Sequence, residues 1–214
     1  MSDLILQRSG ILCVVSGPSG SGKTTLCRRF SETDPSAAYA VSATTRPPRE
    51  GEVDGVDYFF LARDVFEGRV ARGEFIEYAE VHGNLYGTLK SEVLGHLEAG
   101  RDVLLDLDVQ GAAYVRSVTD TAIREALVDI FILLPEGAEL VKRLRSRGTE
   151  TEDQLELRLF NAQEESHHWA EYTYAFVSAD RETDFATFRS ILAGERCRSR
   201  RLRKAPGETT LPGV

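Results

Sequence analysis

The fold turns on Gly17-Pro18-Ser19-Gly20-Ser21-Gly22-Lys23-Thr24-Thr25. An apolar run, Ile11-Leu12-Cys13-Val14-Val15-Ser16, leads into it, and Leu26-Cys27-Arg28-Arg29-Phe30 leads out. Gly17, Gly22, Lys23 and Thr24 satisfy the spacing G-x-x-x-x-G-K-[ST], in which glycines let the backbone aim several N–H groups at phosphate oxygens. A buried strand before the loop and a helix start after it add unpaired N–H groups and the positive end of the helix dipole. In such a loop the lysine reaches the β- and γ-phosphates and the hydroxyl after it ligates Mg²⁺. A plain Gly/Ser turn needs neither the strand nor the helical spacing of Leu26, Cys27 and Phe30. Residues 17–25 therefore predict a P-loop that binds a nucleoside triphosphate.

Outward from that loop, apolar strands are expected near 11–16, 102–108, 128–134 and 174–178. Helical patterns lie between them over 89–99, 110–118, 137–147, 153–169 and 181–203. Such alternation is the pattern of an α/β protein whose mostly parallel sheet is covered by helices on both faces. Residues 35–88 read differently. Residues 38–42 alternate like a short strand, 44–57 form a Pro-, Gly- and charge-rich loop, and 58–61, 75–81 and 85–88 are extended. They predict a small, mostly β insertion.

Net charge is −8 over 214 residues, but residues 196–204 hold six basic residues and no acid, leaving 20 basic against 34 acidic elsewhere. An acidic body excludes a nucleic-acid-binding domain, and the basic segment reads as a solvated helix end and frayed terminus. Residues 206–214 read as a disordered tail. No apolar run is long enough to span a membrane, and no basic region precedes a long apolar segment at the start, so neither a membrane anchor nor a secretory leader is expected. Cys13, Cys27 and Cys197 are odd in number and scattered. They point to reduced thiols and a cytoplasmic protein, with Cys13 and Cys27 as small buried hydrophobes. Nothing in the composition speaks for or against an oligomer.

Two further constellations carry chemistry. Arg46 and Arg49 share a loop, with Tyr58 and Tyr86 as candidate partners; arginine forks match phosphate oxygens and a tyrosine hydroxyl can complete the cup. Glu77 stands on a strand. A carboxylate can accept two parallel N–H bonds from a ring N–H beside an amino group, an edge that guanine has and adenine lacks. Ser42 and Thr88 can serve the remaining guanine atoms, and Asp106 the amino group. Taken singly, each arginine reads as a solvated charge and Glu77 as the polar face of a half-buried strand; only together do they suggest a nucleotide site. The second constellation is Arg143, Arg147 and Arg158. The first two share a helix face at i, i+4, and a polar, hinge-like connection separates them from the third. A mobile segment of this kind brings cations onto a transferring phosphoryl group, which needs charge stabilisation more than a protein nucleophile.

At this point the chain resembles the guanylate kinase family over about residues 10–204. The matching motifs, in order, are the P-loop, Val41-Ser42-Ala43-Thr44-Thr45-Arg46-Pro47-Pro48-Arg49, Gly51-Glu52-x-x-Gly55-x-Asp57-Tyr58, Phe75-Ile76-Glu77, Tyr86-Gly87-Thr88, Asp106-Leu107-Asp108-Val109-Gln110-Gly111, and Arg147-Gly148-Thr149-Glu150. The resemblance implies a core of residues 1–34, 89–137 and 171–205 that binds ATP, a GMP-binding part over 35–88, and a lid over 138–170. It implies ATP-dependent phosphorylation of GMP or dGMP. Ser42, Glu77, Thr88 and Asp106 would read guanine, and Arg46, Arg49, Tyr58 and Tyr86 would hold its phosphate. Lys23, Arg143, Arg147 and Arg158 would embrace the transferring group, Thr24 would bind Mg²⁺, and Asp108 would join through water. Its period-two spacing puts Asp108 on the same strand face as Asp106. The chain departs from the family at Leu85, where a second tyrosine is common, and at Thr173 and Ser178-Ala179, where Asp and Asn-Asp are usual. A non-catalytic guanylate-kinase-like binding domain is the alternative, but such domains usually lose the P-loop lysine or the lid arginines, which are present here.

Overall fold

Ile11, Cys13 and Val15 pack into one hydrophobic core, while Leu12 and Val14 pack into another. The period-two alternation of a strand puts consecutive side chains on opposite faces, so a strand apolar at every position must be covered on both sides. The computed structural model describes residues 6–81, 83–135 and 152–204, with side chains of the helix at 152–166 described from Leu159 on. The expectations for Arg143, Arg147, the Arg158 side chain, the helix at 137–147 and the tail at 206–214 lie outside those residues.

Among the described residues the strands are β1 (Leu6–Arg8), β2 (Leu12–Ser16), β3 (Ala37–Tyr39), β4 (Ala43–Thr44), β5 (Phe59–Phe60), β6 (Phe75–Val81), β7 (Asn84–Leu89), β8 (Asp102–Asp106), β9 (Leu127–Leu133), β10 (Tyr174–Val177) and β11 (Leu202–Lys204). The helices are α1 (Lys23–Thr33), α2 (Arg63–Ala71), α3 (Ser91–Glu98), α4 (Val109–Ser117), α5 (Thr121–Ala126), α6 (Glu152–Ser166) and α7 (Arg181–Arg196). The main sheet has the order β10-β9-β2-β8-β3, and every pairing in it is parallel. Leu26, Cys27 and Phe30 of α1 and Phe185, Phe188 and Leu192 of α7 cover one face. Val93, Leu97, Ala112, Val115, Ile123 and Ala126 from α3, α4 and α5 cover the other. This is the doubly covered α/β sheet that the sequence predicts. Helix α5 was not expected; Asp120 starts it by accepting the Ala122 and Ile123 N–H groups.

The insertion builds a second sheet of order β5-β4-β7-β6. Its small core is Ala43, Phe66, Phe75, Leu85 and Leu89, with Phe66 and Phe75 stacked at 4.3 Å between centroids. One boundary differs from the sequence reading. β3 pairs with β8, Ala37 opposite Asp102 and Tyr39 opposite Leu104, so it belongs to the main sheet and the second sheet starts at Ala43. Three residues whose only ladder is with a strand far along the chain leave no local signature.

The basic segment is also corrected. α7 stops at Arg196, and β11 pairs antiparallel with β1, Leu6 opposite Lys204. Three of the segment's arginines, Arg196, Arg198 and Arg201, are counter-ions to buried acids rather than part of a frayed end. Arg201 is 1% exposed and Glu195 0%; Arg201 Nη2 donates to Glu195 Oε2 at 3.2 Å and Nη1 to the Glu125 carbonyl at 3.1 Å. Glu195 Oε1 takes the Tyr174 hydroxyl at 2.6 Å and Arg198 Nη1 at 2.9 Å. Arg196 Nε donates to Asp102 Oδ2 at 2.7 Å, its Nη1 donates to Asp34 at 2.7 Å, and Arg8 holds Asp102 Oδ1. Buried charges persist where they are paired and hydrogen-bonded.

Candidate active site

The P-loop follows β2 with the geometry its glycines permit. Gly17, Gly20 and Gly22 have φ of 146°, 87° and 87°, values that side chains with a Cβ rarely adopt. A Cβ on Gly17 would also stand 2.3 Å from the Ile132 carbonyl oxygen. Gly22 precedes α1 and no side chain caps the helix, so its first-turn N–H groups remain for an anion. Lys23 folds over the loop, its Nζ donating to the Gly17 carbonyl at 2.5 Å and the Pro18 carbonyl at 3.2 Å. Burial lowers its pKa, while the nearby Asp106 and Glu165 act against the shift.

Between the loop and the insertion lies a cavity of about 340 Å³. Thr24, Ser42, Tyr58, Glu77, Tyr86, Asp106 and Asp108 all line it. These residues converge from α1, the main sheet and the insertion although they are far apart in sequence. Phe75, Ile76 and Glu77 are all buried, so this end of β6 is covered on both faces. The register of β6 against β7 shifts between Phe75 and Glu77, and a bulge of this kind re-aims a side chain. Phe75 joins the insertion core and Ile76 the main core, while Glu77 lines the cavity at 5% exposure. Thr88 Oγ1 donates to Glu77 Oε1 at 2.8 Å. Burial pushes the carboxyl up to about 7, partly opposed by the Thr88 hydrogen bond and reinforced by Asp108. Gly87 makes the close packing possible: a Cβ there would lie 2.7 Å from the Glu77 carbonyl oxygen.

At the outer rim, Arg46 Nη2 donates to Glu52 Oε1 at 2.8 Å, and its guanidinium lies 5.4 Å from the Tyr58 ring centre. Tyr58 and Tyr86 meet edge to face at 6.1 Å. Glu52 Oε2 accepts the Arg49 backbone N–H at 2.7 Å, and the Arg49 residue is exposed. The two tyrosines and Arg46 thus come together, with Glu52 holding Arg46. Two other cavity-lining residues escaped the sequence reading. Arg28 on α1 faces Asp57 at 3.6 Å across the cavity, and Tyr39 lines its wall.

The two acids after β8 divide differently from the sequence reading. β8 ends at Asp106, and Asp108 is the N-cap of α4, its Oδ1 accepting the Gly111 N–H at 2.7 Å. The strand therefore does not continue far enough to give the two acids a common face. Asp106 Oδ2 accepts the Thr24 hydroxyl, and Oδ1 accepts the Tyr39 hydroxyl at 2.5 Å. Burial and Asp106 push the Tyr39 phenol far above its ordinary range. The oxygen donors of Thr24 and Asp106 are of the hard kind that suits Mg²⁺. No group of three or more metal-ligating side chains forms among the described residues. That is compatible with a cation completed by phosphates and water.

On the far side of the P-loop a second cavity, about 510 Å³, is lined by Gly20, Gly22, Thr25, Arg29, Ser178 and Asp184 among others. The Ser178 hydroxyl donates to Asp184 Oδ2 at 2.5 Å and the Ala179 N–H to Oδ1 at 2.8 Å. The third departure, Thr173, donates through its N–H and hydroxyl to Asp129 Oδ1 at 2.8 and 2.6 Å. Arg158 lies on α6. No helix among the described residues is long and apolar enough to cross a membrane.

With this geometry in place, comparison with known proteins is specific. Residues 9–195 match a family model described as guanylate kinase. A guanylate kinase from Cereibacter sphaeroides is 44% identical over 193 residues, 90% of each chain. Another, from Syntrophotalea carbinolica, is 44% identical over 203 residues, 94% of each chain. Among solved structures, the crystal structure of guanylate kinase from Anaplasma phagocytophilum matches with a TM-score of 0.71 at 32% identity, covering 92% of both chains.

Proposed function

The chain belongs to the guanylate kinase family and phosphorylates GMP from ATP, and on that premise we propose how its residues divide the work. The observation that carries the assignment is the 340 Å³ cavity, in which Glu77, Ser42 and two tyrosines face Thr24 of the P-loop. Glu77, ionised, accepts the ring N–H and amino N–H of guanine, with Thr88 fixing one of its oxygens from behind and Ser42 beside it. Arg46, Arg49, Tyr58 and Tyr86 take the GMP phosphate; Arg46 then exchanges its Glu52 partner for phosphate oxygens.

ATP lies with its phosphates over residues 17–25 and its nucleoside in the 510 Å³ cavity. Lys23 leaves the Gly17 and Pro18 carbonyls for the γ-phosphate. Thr24 and Asp106 hold the Mg²⁺ end of the site, while Asp108 acts on Glu77 through its charge. A divalent cation bound there neutralises charge on the donor phosphates. An oxygen of the GMP phosphate attacks the γ-phosphorus, the bond from that phosphorus to the bridging oxygen breaks, and ADP leaves. The attacking oxygen is already ionised, so no general base is required. Arg143, Arg147 and Arg158 close over the transferring group and exclude water that would hydrolyse ATP. dGMP is a second acceptor, and the enzyme works in the cytoplasm.

The test is an assay of ADP release with ATP and Mg²⁺, offering GMP, AMP, CMP and UMP in parallel. Turnover confined to GMP is expected. Comparable turnover with another monophosphate would remove Glu77 and its neighbours from base recognition.

A further inference from the structure

We propose that Tyr39 is a positioning residue for the cation end of the phosphate site, holding Asp106 through its phenol so that the other carboxylate oxygen stays turned to Thr24. This rests on the reading that Thr24 and Asp106 serve a metal–nucleotide complex.

The geometry comes from the edge of the main sheet. Tyr39 stands opposite Leu104 on the parallel neighbour β8, and Asp106 is two residues further along, on the same face as Leu104. Tyr39 packs against the core cluster that contains Leu104, and its phenol reaches along the strand to Asp106 Oδ1 at 2.5 Å. From α1, the Arg28 guanidinium lies 5.1 Å from the ring centre. The ring is thereby held between the core and a cation, and its hydroxyl has one orientation to offer.

An aspartate at a strand end rotates about its last bond unless something holds it. Here one oxygen is held by Tyr39 and the other meets Thr24 Oγ1. Mg²⁺ demands near-octahedral oxygen geometry and tolerates misplacement poorly. Groups that orient a metal's carboxylate matter to affinity although they never touch the metal. Tyr39 occupies that place, and it comes from the strand that local sequence reading assigns to the insertion.

Tyr39→Phe keeps the ring, its packing and the Arg28 contact, and removes only the hydroxyl. The experiment is calorimetric titration of ADP into wild-type protein and the variant, with and without Mg²⁺, alongside GMP binding and thermal unfolding. In the wild type Mg²⁺ is expected to tighten ADP binding. In Tyr39→Phe that gain is expected to shrink about tenfold, while metal-free ADP affinity, GMP affinity and the unfolding midpoint hold. A variant that keeps the full gain overturns the proposal. So does equal weakening with and without Mg²⁺, which would make Tyr39 merely structural. Wild-type protein whose ADP affinity ignores Mg²⁺ would remove the metal reading itself, and the proposal with it.

Discussion

Glu77 and Thr88 face one another across β6 and β7, and the Thr88 hydroxyl donates to Glu77 Oε1 at 2.8 Å beneath the cavity that Glu77 lines. The bond fixes one oxygen of the carboxylate that we propose accepts the guanine N–H groups.

Replacing that carboxylate with an amide should therefore be selective in its damage. In Glu77→Gln one acceptor becomes an NH₂ group that opposes a guanine N–H. Losing a hydrogen bond to a charged group is expected to raise KM for GMP about 100-fold. The preference for GMP over AMP should shrink accordingly. Steady-state rates with both monophosphates check this, and an unchanged ratio would exclude the role.

The same residue sets a pH dependence. Its carboxyl is held up to about 7 in the free protein, and the neutral acid cannot accept two N–H bonds. GMP affinity should fall as pH drops through about 7, approaching tenfold per pH unit below it. Stability runs the other way. The folded carboxyl keeps a proton that an unfolded one, with its ordinary value of 4.5, has lost. This contribution is full below 4.5 and disappears as pH rises through about 7. Calorimetry and denaturant titration across that range should show both slopes, and Glu77→Gln should flatten both.

Lys23→Met tests the P-loop. The lysine's present partners are two carbonyls of its own loop, at 2.5 and 3.2 Å, so the fold does not depend on a distant ion pair to it. Turnover should fall at least about 100-fold, the scale of losing one preorganised transition-state donor, with GMP affinity retained. Near-normal turnover would sink the mechanism.

Arg201→Met tests the terminal clip, the ion pairs by which Arg196 and Arg201 hold the buried Asp102 and Glu195. It takes from Glu195, 0% exposed, its buried partner and leaves the exposed Arg198 and the Tyr174 hydroxyl. Losing a hydrogen-bonded charged partner costs about 1.5–3 kcal/mol. Urea denaturation should show a loss of that order while KM for GMP is unchanged, because Arg201 lies in the clip and does not line the GMP cavity.

What was legible in the sequence followed chemistry written locally. The P-loop is a contiguous spacing, and β2, β9 and the middle of β8 are apolar runs because both faces are covered. Glu77, Tyr58 and Tyr86 could be grouped because their residue types suit one ligand, and the cavity brings them together. What was missed depends on distant partners. Tyr39 reads as one residue of a short strand until β3 is seen to pair with β8. Asp106 and Asp108 look equivalent at a spacing of two until the strand ends between them and Asp108 becomes a helix cap. The basic run looks solvated because Asp102 and Glu195 look like ordinary surface acids, and nothing local marks them as buried.

The clip also orders events in time. Asp102 is completely buried and shared between Arg8, from the first strand, and Arg196, from the last helix. During translation the main sheet can form from strands already made, but this acid has only half its counter-charge until synthesis has passed Arg196. Glu195 likewise completes its pairing with Arg198 and Arg201 only after the helix that carries it. The nascent chain thus carries two acids that resist burial until its final helix and strand arrive. The last arginines consequently act as a late latch on folding, set long after the nucleotide-binding loop has left the ribosome.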